Sequence, residues 1–179
     1  MMRVISGKYK GKNLIGFDID GTRPTMDRVK ESLFGIIQNN IKNSVVLDLF
    51  AGSGSLRIEA LSNGAREVYF IDNNIELINI IKKNTIGIDN AHIMKSDYKN
   101  SLELLKNSNI KFDIIFLDPP YKLNLINDCL NKINEYNLLN NNGIIICEYE
   151  NEFINTEYFD LMKEKKYGSK NIKIYKCKI

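Results

Sequence analysis

The chain has 179 residues and a mass of 20.6 kDa, the size of one domain or one domain with a small appendage. Hydrophobic residues make up 44% and charged residues 26%, with a net charge of +3, which excludes wholesale disorder. Apolar stretches such as IIFL and GIIIC fall far below the ~18 residues a membrane span needs.

The start MMRVISGKYKGK carries charge with no apolar block behind it and does not read as a secretory signal. Cys129, Cys147 and Cys177 are scattered, and with His92 as the single histidine no CxxC or HExxH zinc pattern can be built. The expectation is a cytoplasmic, monomeric protein without metal, disulfide or membrane segment. It reads as one domain over 1–179, with an N-terminal appendage (1–42) and a core (43–179).

The charge is divided along the chain. Residues 1–30 hold seven basic side chains against three acidic ones, a balance of +4, and residues 163–179 hold seven lysines against Glu164, a balance of +6. The remainder therefore carries −7. An acidic body with basic ends can meet a polyanion. A solvated surface in a Lys-, Asn- and Ile-rich protein would look the same, so charge alone does not decide.

In chain order, RVISGKYKGKNLIGF alternates around Gly7 and Gly11 and predicts a short β-hairpin. TRPTMDRVKESLFGIIQN follows, with Thr25 as a candidate cap, Asp27 in the first turn, and Val29, Leu33, Ile36 and Ile37 on one helical face. Apolar runs then alternate with helical segments. The strands are VVLDLF (45–50), EVYFID (67–72), AHIMKSD, FDIIFL (112–117) and GIIICEY (143–149). The helices are SLRIEALSNG ended by Gly64, NIELINIIKKN, SLELLK and NLINDCLNKINEY. Asn140, Asn141 and Asn142 read as a turn, and KKYGSKNIKIYKCKI as a closing hairpin whose lysines form a solvated edge. Strands apolar throughout and separated by helices imply a parallel sheet covered on both faces. The fold class is α/β, doubly wound, with an antiparallel C-terminal hairpin.

In such sheets a ligand sits beyond the C-terminal ends of the strands. The first strand runs into DLFAGSG, with Asp48, Gly52 and Gly54, whose glycines permit a tight turn and close backbone approach. A dinucleotide site would want a third glycine at position 57, where this chain has Arg57. Asp72, 20 residues after Gly52, ends the second strand where a carboxylate can accept both ribose hydroxyls. Asp97, ending the third strand, can accept from an adenine amino group. This is a nucleoside pocket without a phosphate clamp, which suits S-adenosylmethionine (SAM) better than NAD.

The sharpest signal is FDIIFLDPPY, which sets Asp118, Pro119, Pro120 and Tyr121 directly after the fourth strand. An exocyclic amino nitrogen on a nucleobase is a poor nucleophile because its lone pair is delocalised into the ring. The Asp118 carboxylate and the Pro119 carbonyl can accept its two N–H bonds, holding the nitrogen in line with a methyl donor. Tyr121 offers a face on which an extruded base can stack. Glu59 and Glu148 are further carboxylates whose place the sequence leaves open.

DPPY after the fourth strand, preceded by DLFAGSG, resembles the SAM-dependent amino-methyltransferases of nucleobases. RVISGKYKGKNL, RPTMDRVKESLF, EALSNGA and KKYG narrow the resemblance, over nearly the whole chain, to the bacterial RsmD family. That resemblance implies a Rossmann-like methyltransferase fold, SAM as methyl donor, and N2-methylation of guanine 966 of 16S ribosomal RNA in an assembled or assembling small subunit. It assigns Asp48, Phe50, Gly52 and Gly54 to the methionine side of SAM, Asp72 and Asn73 to the ribose, and Asp97 and Tyr98 to the adenine. Asp118 to Tyr121 hold the target base. Arg23, Thr25 and Arg28 lie in the family's N-terminal motif, near the cofactor and RNA entrance, and the charge of the N-terminal hairpin adds Lys8, Lys10 and Lys12 as candidate RNA contacts. Arg57 departs from the family pattern SLGIEAL, which has glycine there. The alternatives are an adenine-N6 or cytosine-N4 methyltransferase, which DPPY would equally suit, and a non-catalytic RNA-binding assembly factor, which the intact DPPY and glycine loop argue against.

Overall fold

A computed structural model describes residues 2–16 and 23–178, with side chains in the first helix from residue 28 onward. The N-terminal hairpin pairs β1 (Met2–Arg3) with β2 (Asn13–Leu14). Helix α1 (Arg23–Ile41) follows; the capping role read for Thr25 and the first-turn role of Asp27 lie outside the described side chains. A seven-stranded sheet holds β3 (Val45–Asp48), β4 (Glu67–Asp72), β5 (Ala91–Lys95), β6 (Phe112–Leu117), β7 (Leu139–Tyr149), β8 (Phe159–Tyr167) and β9 (Lys170–Cys177). Its order is β5-β4-β3-β6-β7-β9-β8. The first five of these strands are parallel, and β9 and β8 add antiparallel at the edge. Helices α2 (Ser55–Ser62), α3 (Ile75–Asn84), α4 (Tyr98–Asn107) and α5 (Ile126–Glu135) make the crossovers.

The apolar strands are explained by a core on each face. Val46, Phe70, Ile114 and Ile146 pack with Val29, Leu33 and Ile37 of α1, Ile58 of α2 and Ile78 and Ile81 of α3. Leu47, Ile115, Leu117, Ile145 and Cys147 point the other way, to Leu102 and Leu105 of α4 and Leu130 and Ile133 of α5. Alternate residues of one strand thus serve opposite cores, so neither face needs polar positions. Val4 and Leu14 join the first cluster, so the N-terminal hairpin and α1 share the sheet's own core. Buried Glu59 of α2 anchors them: it accepts from Ile5 N (2.9 Å) and Ser6 N (2.8 Å) and pairs with Lys30 Nζ at 3.1 Å.

Two expectations are corrected. Asn140–Asn142 do not form a turn before the strand; β7 begins at Leu139, and the asparagines lie in an irregularity where the register passes from Phe112↔Leu139 to Ile114↔Ile144. Phe112 N donating to Leu138 O starts the pairing early. Asp97 does not end a strand; it is the N-cap of α4, accepting from Asn100 N at 2.9 Å, because a carboxylate there satisfies an orphan helix donor.

Candidate active site

Beyond the C-terminal ends of β3, β4, β5 and β6 lies a cavity of about 810 Å³. Its first wall is the turn from β3 into α2, where Gly52 (φ +57°) and Gly54 (φ +75°) take the left-handed conformation. A Cβ on Gly54 would also come within 3.2 Å of the Phe70 ring. Asp72, nearly buried at the end of β4, joins two loops: Oδ2 accepts from Gly52 N at 3.0 Å and Oδ1 from Asn74 N at 2.9 Å. Each oxygen keeps a further lone pair. Aromatic sides come from Phe50 and Tyr98, their centroids 5.9 Å apart. The Tyr98 hydroxyl donates to Asp128 Oδ2 at 2.7 Å, and burial, then this bond, holds its ionisation above the usual tyrosine range.

The second wall is the loop after β6. Asp118, Pro119, Pro120 and Tyr121 all line the cavity, and Leu123 N donating to Pro120 O closes a 3-10 turn over Tyr121–Leu123. The Tyr121 hydroxyl donates to Glu148 Oε1 at 3.1 Å, and Lys170 Nζ reaches the same oxygen at 2.8 Å. Burial pushes the Asp118 carboxyl up to about 8, Glu148 and Asp48 push the same way, and Arg57 and Lys170 oppose them. Desolvation with a like charge nearby marks functional carboxylates.

Ten of the twelve residues assigned to cofactor and base therefore share one cavity: Phe50, Gly52, Asp72, Asn73, Asp97, Tyr98 and Asp118–Tyr121. Gly54 and Asp48 stand behind its wall. Asp48 is 1% exposed, with its Oδ2 2.6 Å from Arg57 Nε. Arg57 is itself 4% exposed and lies 3.8 Å over the Phe116 ring. Its buried Nε makes no hydrogen bond of good geometry despite that proximity.

Among the described residues, Lys8, Lys10, Lys12 and Arg28 do not line the cavity. Lys8 N donates to Ser62 O at the last residue of α2, and Lys12 Nζ to Ile86 O beyond the end of α3. Arg28 is exposed on α1, and the side chains of Arg23 and Thr25 lie outside the described residues. Lys170 belongs to the site although a solvated edge is what the C-terminal lysines predict, and Glu148, whose place the sequence leaves open, joins it. The available signal is that Glu148 lies at the C-terminal end of a parallel strand, next to its last residue, where ligands bind.

The sheet order, a nucleoside-sized cavity at the strand ends and an Asp-Pro-Pro-Tyr loop on its wall define a Rossmann-like methyltransferase. The chain belongs to the RsmD family: the family model described as Conserved hypothetical protein 95 matches residues 2–176. It is 37% identical to Ribosomal RNA small subunit methyltransferase D of Haemophilus influenzae, over 97% of this chain and 93% of that one. Against the protein of the same name from Escherichia coli K12 the identity is 33%, over 84% and 76%. The solved structure of yhhF from Escherichia coli superposes with a TM-score of 0.85 at 30% identity, covering 99% of this chain and 98% of that one.

Proposed function

We propose that this protein transfers a methyl group from SAM to the exocyclic N2 of a guanine in small-subunit ribosomal RNA, guanine 966 being the position that the family resemblance implies. The single observation that carries this reading is the shared cavity: the Asp72 carboxylate and the Asp118–Tyr121 loop face one space.

The residues fit the cofactor. An Asp72 held by two backbone N–H groups keeps lone pairs for a ribose diol, and Phe50 and Tyr98 supply apolar faces for an adenine. Bound SAM supplies an electrophilic methyl on a sulfonium. The protein's own task is to present the amine. Asp118 and the Pro119 carbonyl accept its two N–H bonds, and proline at 119, with no N–H, offers the base only an acceptor. Asp118 does this as a carboxylate, so its raised ionisation places the onset of activity on the alkaline side of neutrality. The nitrogen's proton becomes acidic as the methyl arrives, so no strong base is required. Tyr121 supplies the stacking face.

The RNA entrance is assigned to Lys8, Lys10, Lys12, Arg23, Thr25 and Arg28. The hairpin tip rests on the end of α2 away from the glycine loop, one helix length or roughly 12 Å off. That offset favours phosphates flanking the target, not the base, as the partners of its lysines. In the test, purified protein, methyl-labelled SAM and small subunits from a strain lacking this protein are combined, and the RNA is digested to nucleosides. Label in N2-methylguanosine is expected; label in N6-methyladenosine or N4-methylcytidine, or none, overturns the reading.

A further inference from the structure

We infer that Glu148 and Lys170 form a charged clamp that positions the Tyr121 ring and balances the charge around Asp118, which makes both positioning residues for the reaction proposed above, on which this inference rests. The clamp is built by sheet register. Glu148 of β7 pairs with Ile172 of β9, so Lys170, two residues from Ile172, is a diagonal neighbour on the same face. Lys170 Nζ lies 2.8 Å from Glu148 Oε1, the oxygen to which the Tyr121 hydroxyl donates at 3.1 Å, and 5.7 Å from the Tyr121 ring centroid. One carboxylate oxygen thus ties the catalytic loop to Lys170 of the hairpin, 22 residues after Glu148 itself.

The hairpin is itself held. Tyr167, which pairs with Lys170 across the β8–β9 turn, shares a 2.6 Å hydrogen bond with Ser32 of α1. The Glu148 side chain is 11% exposed and that of Lys170 33%, so the pair stands largely out of water, where its geometry matters more than at the surface. Asp118 feels Glu148 from β7, Lys170 from β9, Arg57 from α2 and Asp48 from β3, with Tyr121 beside it in its own loop. The clamp supplies one charge of each sign to that set. Its two members therefore act on Asp118 in opposite senses, and the tie from Glu148 to the Tyr121 hydroxyl is what an ion pair that only held the hairpin would not need.

The test uses Glu148→Gln, Lys170→Met and Lys170→Arg in the full chain, with carboxyl ¹³C NMR titration of Asp118 in the free protein and pH profiles of single-turnover methylation. Glu148→Gln should move both midpoints down and Lys170→Met should move both up, while Lys170→Arg stays close to wild type. Midpoints that stay put, or that move in the same direction in both variants, overturn the clamp. At the pH optimum each of the two disruptive variants should lose about tenfold in rate, the effect of one charged hydrogen bond. In a Tyr121→Phe background the Glu148→Gln loss should shrink to less than threefold by a double-mutant cycle; full additivity refutes the positioning role. Opposite NMR shifts in the two variants, together with a wild-type protein that methylates no guanine, would support the clamp and reject the substrate reading.

Discussion

Arg57 stands where the sequence resemblance leads one to expect glycine, and its removal has a calculable effect. Its guanidinium stands over Phe116 and beside Asp48, both deep in the protein. Arg57→Ala leaves the Asp48 carboxylate buried without its cation, and breaking a buried pair in this way costs about 3–5 kcal/mol. For a chain of this size each kcal/mol shifts the thermal midpoint by about 2–4 °C, so the loss amounts to roughly 6–20 °C. Burial already holds the Asp48 carboxyl above its ordinary range, with Arg57 pulling it down. Without Arg57 the group takes up a proton, so the deficit should shrink as pH falls from 8 to 5. Replacing both partners, as Asp48→Asn with Arg57→Met, should recover most of the loss because no buried charge remains. Thermal and urea unfolding followed by circular dichroism measure all three. An Arg57→Ala protein within 0.5 kcal/mol of wild type, or a deficit independent of pH, would refute the reasoning.

Asp72→Ala removes the acceptor proposed for the ribose diol and should weaken SAM binding by about 1.5–3 kcal/mol in calorimetry, with the fold retained. Asp118→Asn should lose methyl transfer yet be more stable than wild type at pH 8, by about 0.5–2 kcal/mol in urea unfolding. The sign follows from its raised ionisation: the folded state holds the Asp118 proton more tightly than the unfolded chain, so stability falls as pH rises through about 8, and the amide escapes that loss. Glu59→Ala leaves Ile5 N, Ser6 N and the Lys30 ammonium without their common partner. The expected loss is about 3–5 kcal/mol, with early amide exchange in the N-terminal hairpin by mass spectrometry.

Much of this was legible because it depends on short-range signals. Strands apolar throughout announced a sheet covered on both faces, and the glycine loop and Asp-Pro-Pro-Tyr fell where strand ends place ligands. What escaped depends on register and partners distant in sequence. Lys170 looked like one lysine among seven, and only the β7–β9 pairing sets it beside Glu148. Arg57 shows only as a departure from an expected glycine, because nothing in its neighbourhood along the chain discloses Asp48 and Phe116 as its surroundings. Asp97 lines the cavity as the cap of α4 and not as a strand end, and the sequence could not separate the two because a cap and a strand-end acceptor have the same residue type. The start of β7 was misjudged because asparagine-rich segments favour turns, and here pairing of Leu139 with Phe112 outweighs that preference.

The central claim is that the Asp118–Tyr121 loop methylates N2 of one guanine in small-subunit ribosomal RNA. Mass spectrometry of 16S RNA fragments from a strain lacking this protein, complemented with wild type or with Asp118→Ala, tests it most directly. The fragment holding guanine 966 should be one methyl group lighter in the deletion strain. It should regain that mass with the wild-type gene and not with Asp118→Ala. An unchanged fragment in the deletion strain, or full restoration by Asp118→Ala, would contradict it.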